Sequence, residues 1–121
     1  MIQLRSNLKP ADNCGAKSLH VIGVPGRIGI KATIGQVIRC VVHGADPGGV
    51  VTDQEKVSVV IVRTRKEIRR ADGIYVRFDD NAGVVIDKQG LPRGTRVLGP
   101  VAREVKEAGY TKIASLAREV I

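Results

Sequence analysis

Arg63, Arg65, Lys66, Arg69 and Arg70 place five cations within eight residues, with Glu67 the one acid among them. Guanidinium and ammonium groups at this density suit one chemistry above others, the neutralisation of a polyanion. A charged edge strand also resists strand-on-strand aggregation, but five cations exceed what that protection needs. Arg77 extends the set on the segment that follows. A second cationic element, Arg93-Gly94-Thr95-Arg96, sits between Pro92 and Gly99-Pro100. Arginine presents a planar fork to phosphate oxygens, and Gly94 would let an RNA strand approach the backbone closely. The same residues also read as an ordinary turn before a helix, and the sequence leaves both readings open.

Other residue types that could do chemistry form no working set. Cys14, His20, Cys40 and His43 are zinc-ligand types, but they lack the closely paired spacing of zinc knuckles or ribbons. Buried thiols and ordinary histidines explain them, so no metal is expected. Asp79-Asp80-Asn81 reads as a turn with local Asx hydrogen bonds rather than a magnesium site, because no partner carboxylates or phosphate loop accompany it. The glycines at 23, 26, 29 and 35 match neither a Walker A sequence nor a dinucleotide fingerprint. No serine, cysteine or histidine is placed as a nucleophile with its base. Neither a catalytic residue nor a cofactor is expected, and the chain does not read as an enzyme.

Composition narrows the polyanion. The formal net charge is +8 over 121 residues, a balance that points to nucleic acid. A membrane surface is disfavoured, since no basic amphipathic helix is long enough to lie on one. Tyr75, Phe78 and Tyr110 are all the aromatics, too few for the broad stacking platform of a single-strand binder. Phosphate contacts and shape reading of folded RNA fit better. Two cysteines suit a reducing compartment, and the start of the chain lacks the apolar run of a secretory signal. A soluble, intracellular protein is expected.

The elements that must position these residues are mainly β. Val59-Val60-Ile61-Val62 is a β-branched run suited to a strand buried on both faces. It passes directly into the cationic segment; Asp72-Gly73 then supplies a turn, and Ile74, Val76 and Phe78 alternate with Tyr75 and Arg77 as on a returning strand. Further strands are read near 2–9, 19–24, 36–42 and 84–86, with Pro25-Gly26, a glycine-punctuated loop over 26–35, and Gly44 to Gly49 as breaks. The expected fold is a small closed five-stranded antiparallel β-barrel with a projecting basic β-ribbon. Gly99-Pro100 starts a first short helix carrying Val101, Val105 and Ala108, and Gly109 stops it. Thr111 caps a second, with Ile113, Leu116, Ala117 and Val120 on one face. A single domain over 1–121 is expected, with the barrel over about 1–98, its ribbon at 63–77, and a helical region over about 99–121.

These residues also carry a family resemblance. VIVRTRKEIRRADGIYVRFDDNAGVVI, PRGTRVLGPVAREV and KIASLAREVI, with the opening MIQ and ADNCGA, resemble the universal large-subunit ribosomal protein fourteen along the whole chain. The most specific matches are Asp72-Gly73, Phe78, Asn81, Val84-Val85, Gly94-Thr95-Arg96 and Gly99-Pro100-Val101. The resemblance implies a non-enzymatic protein in cytoplasmic ribosomes of bacterial type or in those of an organelle. Its partners would be large-subunit rRNA, small-subunit rRNA across an intersubunit bridge, the large-subunit ribosomal proteins three and nineteen, and a ribosome silencing factor. Carried over by position, Arg63, Arg65, Lys66, Arg69, Arg70, Arg77, Arg93, Arg96 and Arg103 would bind rRNA. Thr95, Arg96, Lys112 and Ser115 would form the bridge or factor surface. Departures from the family pattern are Cys14 for Ser, Gln36 for Asp, and Thr52 to Lys56 for a lysine-rich approach. Arg118 stands where the family has Pro, which would let the last helix run on. The alternative is a free-standing small-barrel nucleic-acid-binding accessory factor.

Overall fold

The structure is a computed structural model that describes residues 2–3, 7–23 and 31–121. The expectations for Pro25-Gly26 and for the loop up to residue 30 lie outside the described residues. In chain order the strands are β1 (Ile2–Gln3), β2 (Asn7–Pro10), β3 (Ala16–Gly23), β4 (Lys31–Ala32), β5 (Val37–Ala45) and β6 (Lys56–Arg63). Then come β7 (Ile68–Arg69), β8 (Tyr75–Val76), β9 (Ala82–Ile86) and β10 (Pro100–Val101). Two helices, α1 (Arg103–Glu107) and α2 (Thr111–Leu116), precede the last strand, β11 (Glu119–Val120). None of the described helices is long and apolar enough to cross a membrane.

β2, β3, β5, β6 and β9 close into a barrel in that order. Four seams are antiparallel, and the closing seam, β2 with β9, is parallel. A ring with an odd number of strands cannot alternate direction all the way round, so a parallel seam is forced by the count. Both faces of β6 are buried from Val59 to Val62. Successive side chains of a strand point to opposite faces, so one set fills the lumen and the other needs an outer cover. The C-terminal elements supply that cover: α1 and β10 lie against β6, and Ala102 N donates to Val62 O at 3.3 Å. Val105 and Ile113 accordingly join the same apolar cluster as Leu8, Leu19 and Ile38 of the barrel.

The C-terminal region departs from its expected boundaries. Pro100-Val101 does not open a helix. It is extended, pairs in parallel with Glu119-Val120, and α1 begins only after Ala102. Thr111 is the first residue of α2 rather than its cap; Tyr110 holds the cap position without a side-chain bond. α2 ends at Leu116 despite Arg118, because the following residues are drawn into β11, where Ile121 N donates to Val101 O at 2.9 Å. Val120 is therefore exposed rather than on a buried helical face.

Gly83 sits in β9, where it packs closely against β6. A Cβ there would overlap Val59 Cγ1 and stand 3.1 Å from Val60 O. Overpacking a filled interior costs about 1–3 kcal/mol, so Gly83→Ala is expected to lower stability by about that amount in urea unfolding, with little change in the m-value.

Candidate nucleic-acid interface

The cationic segment leaves the barrel at Arg63 and returns at Phe78. Its base is closed by Phe78 N donating to Thr64 O (3.0 Å) and by Thr64 Oγ1 donating to Lys66 O (2.9 Å). β7 and β8 pair as a two-rung ribbon, Ile68 with Val76 and Arg69 with Tyr75. At the tip, Gly73 takes φ +85° and its N donates to Arg70 O at 2.9 Å, while Asp72 Oδ1 accepts from Ile74 N. The turn expected at Asp72-Gly73 is thus present. The returning strand is shorter than expected, because Phe78 leaves the ladder to pack on the core.

The five clustered cations separate by what they touch. Arg63 is buried, with 9% of its side chain exposed. Its Nε donates to Asp80 Oδ1 at 2.9 Å, Nη2 to Asp80 Oδ2 at 3.4 Å, and Nη1 to the carbonyls of Leu98 (2.8 Å) and Pro100 (3.1 Å). Four of its five donors are engaged by protein, so Arg63 joins barrel, ribbon base and C-terminal segment and has one donor left over. Arg70 turns back onto α1, pairing with Glu104 at 3.0 Å and donating to Ile121 O. That hydrogen bond to Glu104 raises its pKa above the usual guanidinium value. Lys66 is exposed and, among the described residues, pairs only with exposed Glu67 at 3.3 Å, a contact weak enough to be exchanged. Arg65 and Arg69 are exposed, as is Arg77 beyond them. Arg69 and Arg77 have no side-chain partner among the described residues.

The second cationic element is organised by a residue that charge and spacing do not single out. Asn13 Oδ1 accepts from Thr95 N (2.8 Å) and Arg96 N (3.0 Å), and its Nδ2 donates to Thr95 Oγ1 (2.7 Å). Gly94 is buried, and a Cβ on it would stand 2.7 Å from Asn13 Oδ1. Its smallness therefore serves a close approach to the chain's own Asp12-Asn13 turn. Arg93 pairs with Glu55 at 2.8 Å and donates to Val50 O at 2.9 Å, so it too is engaged by the protein itself. The same hydrogen bond holds Glu55 below the ordinary carboxylate range. Thr95 and Arg96 stay exposed, as do Arg103 on α1 and Lys112 and Ser115 on α2. Ser115 Oγ donates to Lys112 O at 2.8 Å. Arg103 shares a hollow with Arg69 at the ribbon tip, but Asp72, Glu104 and Glu107 line it as well.

The zinc-type residues do not converge, and among the described residues no three His, Cys, Asp or Glu side chains gather as metal ligands. Cys14 and Cys40 are fully buried, and burial pushes both thiols up to about 12. A neutral thiol is a poor ligand and nucleophile. Asp12, beside Cys14, is also buried; desolvation raises its carboxyl above the ordinary range, and its Oδ1 has no hydrogen-bond partner among the described residues. Asp12 Oδ2 accepts from Val85 N at 3.3 Å, tying the turn to β9.

Comparison with known proteins agrees with the geometry. The ribosomal protein L14p/L23e family profile matches residues 1–121. The chain is similar to the large ribosomal subunit protein uL14 of Petrotoga mobilis, at 58% identity over 121 residues, covering 99% of each chain.

Two outcomes follow from this placement. Removing one partner of a buried charged network leaves polar groups unsatisfied, so Arg63→Ala is expected to cost about 2–4 kcal/mol in denaturant unfolding. Native protein at pH ~7.5 is expected to leave Cys14 and Cys40 unreacted with a disulfide thiol reagent, while the unfolded chain titrates two thiols.

Proposed function

The chain belongs to the L14p/L23e family of ribosomal proteins, and we propose that it binds large-subunit rRNA through its ribbon and contributes to an intersubunit bridge. Family membership makes it a structural, non-enzymatic constituent of the large ribosomal subunit, cytoplasmic within the ribosome as in its bacterial relative. It has rRNA and other ribosomal proteins as its partners, and the free-standing accessory factor gives way to this assignment. The whole chain acts as one domain in this proposal.

The observation that supports rRNA binding most directly is the outward set Arg65, Lys66, Arg69 and Arg77, exposed on a chain whose only strongly exposed aromatic is Tyr75. Cations without stacking partners act on phosphates and on the shape of a folded helix, since A-form RNA hides its major-groove edges. Counterion release supplies the affinity, and the barrel fixes the ribbon's direction. Arg96 and Arg103 add positive charge beyond the ribbon. The exposed set Thr95, Arg96, Lys112 and Ser115 serves as the bridge or silencing-factor surface, with the ribosomal proteins three and nineteen as neighbours; family resemblance supports these finer assignments.

Because Arg63, Arg70 and Arg93 are paired with the protein's own carboxylates and carbonyls, the informative variants lie elsewhere. Arg69→Ala with Arg77→Ala is expected to weaken binding to a large-subunit rRNA transcript and to reduce the slope of log K against log salt by about 1.5–2, roughly one unit for each phosphate no longer neutralised. A flat salt response of the unaltered protein would overturn the phosphate-contact reading.

A further inference from the structure

Beside β2 and the start of β3, the base of the ribbon borders a cleft lined by Asn7, Lys9, Lys17, Ser18, Arg65 and Asn81. A second hollow continues it past Arg65 to Arg77 and Asp79. Asp80 borders both, but its carboxylate is held by Arg63. We propose that this cleft is a phosphate-binding site for the RNA backbone, with Lys9, Lys17 and Arg65 as its cations. The inference rests on the rRNA-binding reading above and extends it from the ribbon to the wall of the barrel.

The cations are held in place by the fold. Arg65 N donates to Asn81 Oδ1 at 2.8 Å, and its Nε donates to Asp79 O at 2.9 Å. Both Nη groups are left without a partner among the described residues, which is the fork that takes two phosphate oxygens at once. Asn81 O also accepts from Lys9 N at 3.0 Å. One asparagine therefore fixes the backbone of two of the three cations. Strand alternation turns Lys9 outward beside the buried Leu8. Lys17 lies on the same side of β3 as Leu19 but near the start of the strand, where it is exposed. The Lys17 stem lies across Gly44, whose Cβ position is 3.2 Å from Lys17 Cδ. Such packing limits the rotamers the ammonium samples, lowering the ordering cost on binding. Asn7 Oδ1 is engaged by His20 Nδ1 at 2.7 Å and Ser18 Oγ donates to His43 O at 3.4 Å, which leaves the Asn7 amide N–H groups and the Ser18 oxygen's acceptor capacity for a ribose 2′-hydroxyl.

The test labels lysines of the full-length protein with an acetylating ester, free and bound to a large-subunit rRNA transcript, with readout by mass spectrometry. Lys9 and Lys17 are expected to be protected several-fold, while Lys88, in the turn after β9, stays reactive. In parallel, the Lys9→Gln/Lys17→Gln variant should reduce the salt slope by about 1.5–2, and Lys88→Gln should leave it unchanged. Lysines as reactive in the complex as in the free protein, or an unchanged slope in the double variant, overturn the cleft. In either case a steep slope for the unaltered protein keeps the ribbon reading, whereas a flat one removes both.

Discussion

The guanidinium of Arg63 is the contact through which three parts of the molecule are held in register. Arg63 ends the central barrel strand, Asp80 precedes the last one, and Leu98 and Pro100 lead into the helical region. A charge this far from water is tolerated only when its donors are met with good geometry, and here two carbonyls and a carboxylate meet them. The outer face of β6 depends on the same contact, because it needs the C-terminal segment as its cover. Ribbon direction, barrel closure and helix placement are thus coupled at one side chain.

A similar division runs through the basic residues. Arg63, Arg70 and Arg93 each turn toward a carboxylate and a backbone carbonyl, and each closes a long loop of chain onto a distant element. Arg65, Lys66, Arg69 and Arg77 face outward. The inward set gives the outward set its geometry, since a charged ribbon with only two rungs would otherwise have little to orient it. Asn13 and Asn81 act in the same way at smaller scale, converting loose turns into fixed ones through side-chain oxygens. Neither carries charge, which is why charge-based reading passes over them.

Much of the architecture was legible from residue types. The β-branched run at Val59–Val62 announced a doubly buried strand, alternating short strands announced a barrel, and Asp72-Gly73 announced the ribbon's turn; all three are present. The C-terminal boundaries were not legible. Gly99-Pro100 carries the local signal of a helix start, yet pairing with Glu119-Val120 and the demand of Arg63 for two carbonyls hold it extended.

By itself the sequence determined the class of partner and the fold, because net charge, scarcity of aromatics and hydrophobic periodicity are properties of residue types and spacing. Only the tertiary structure decided which cations face outward and which are engaged by the protein itself. Arg63 and Arg65 are two residues apart and chemically identical, but one is roofed by the C-terminal segment and the other stands at the cleft mouth. That difference arises from contacts between distant parts of the chain, as in the Arg63 bond to Leu98 at a separation of 35. Lys9 and Lys17 make the same point in reverse: scattered in the sequence, they reach the ribbon's base only because the barrel closes and carries β2 beside β9.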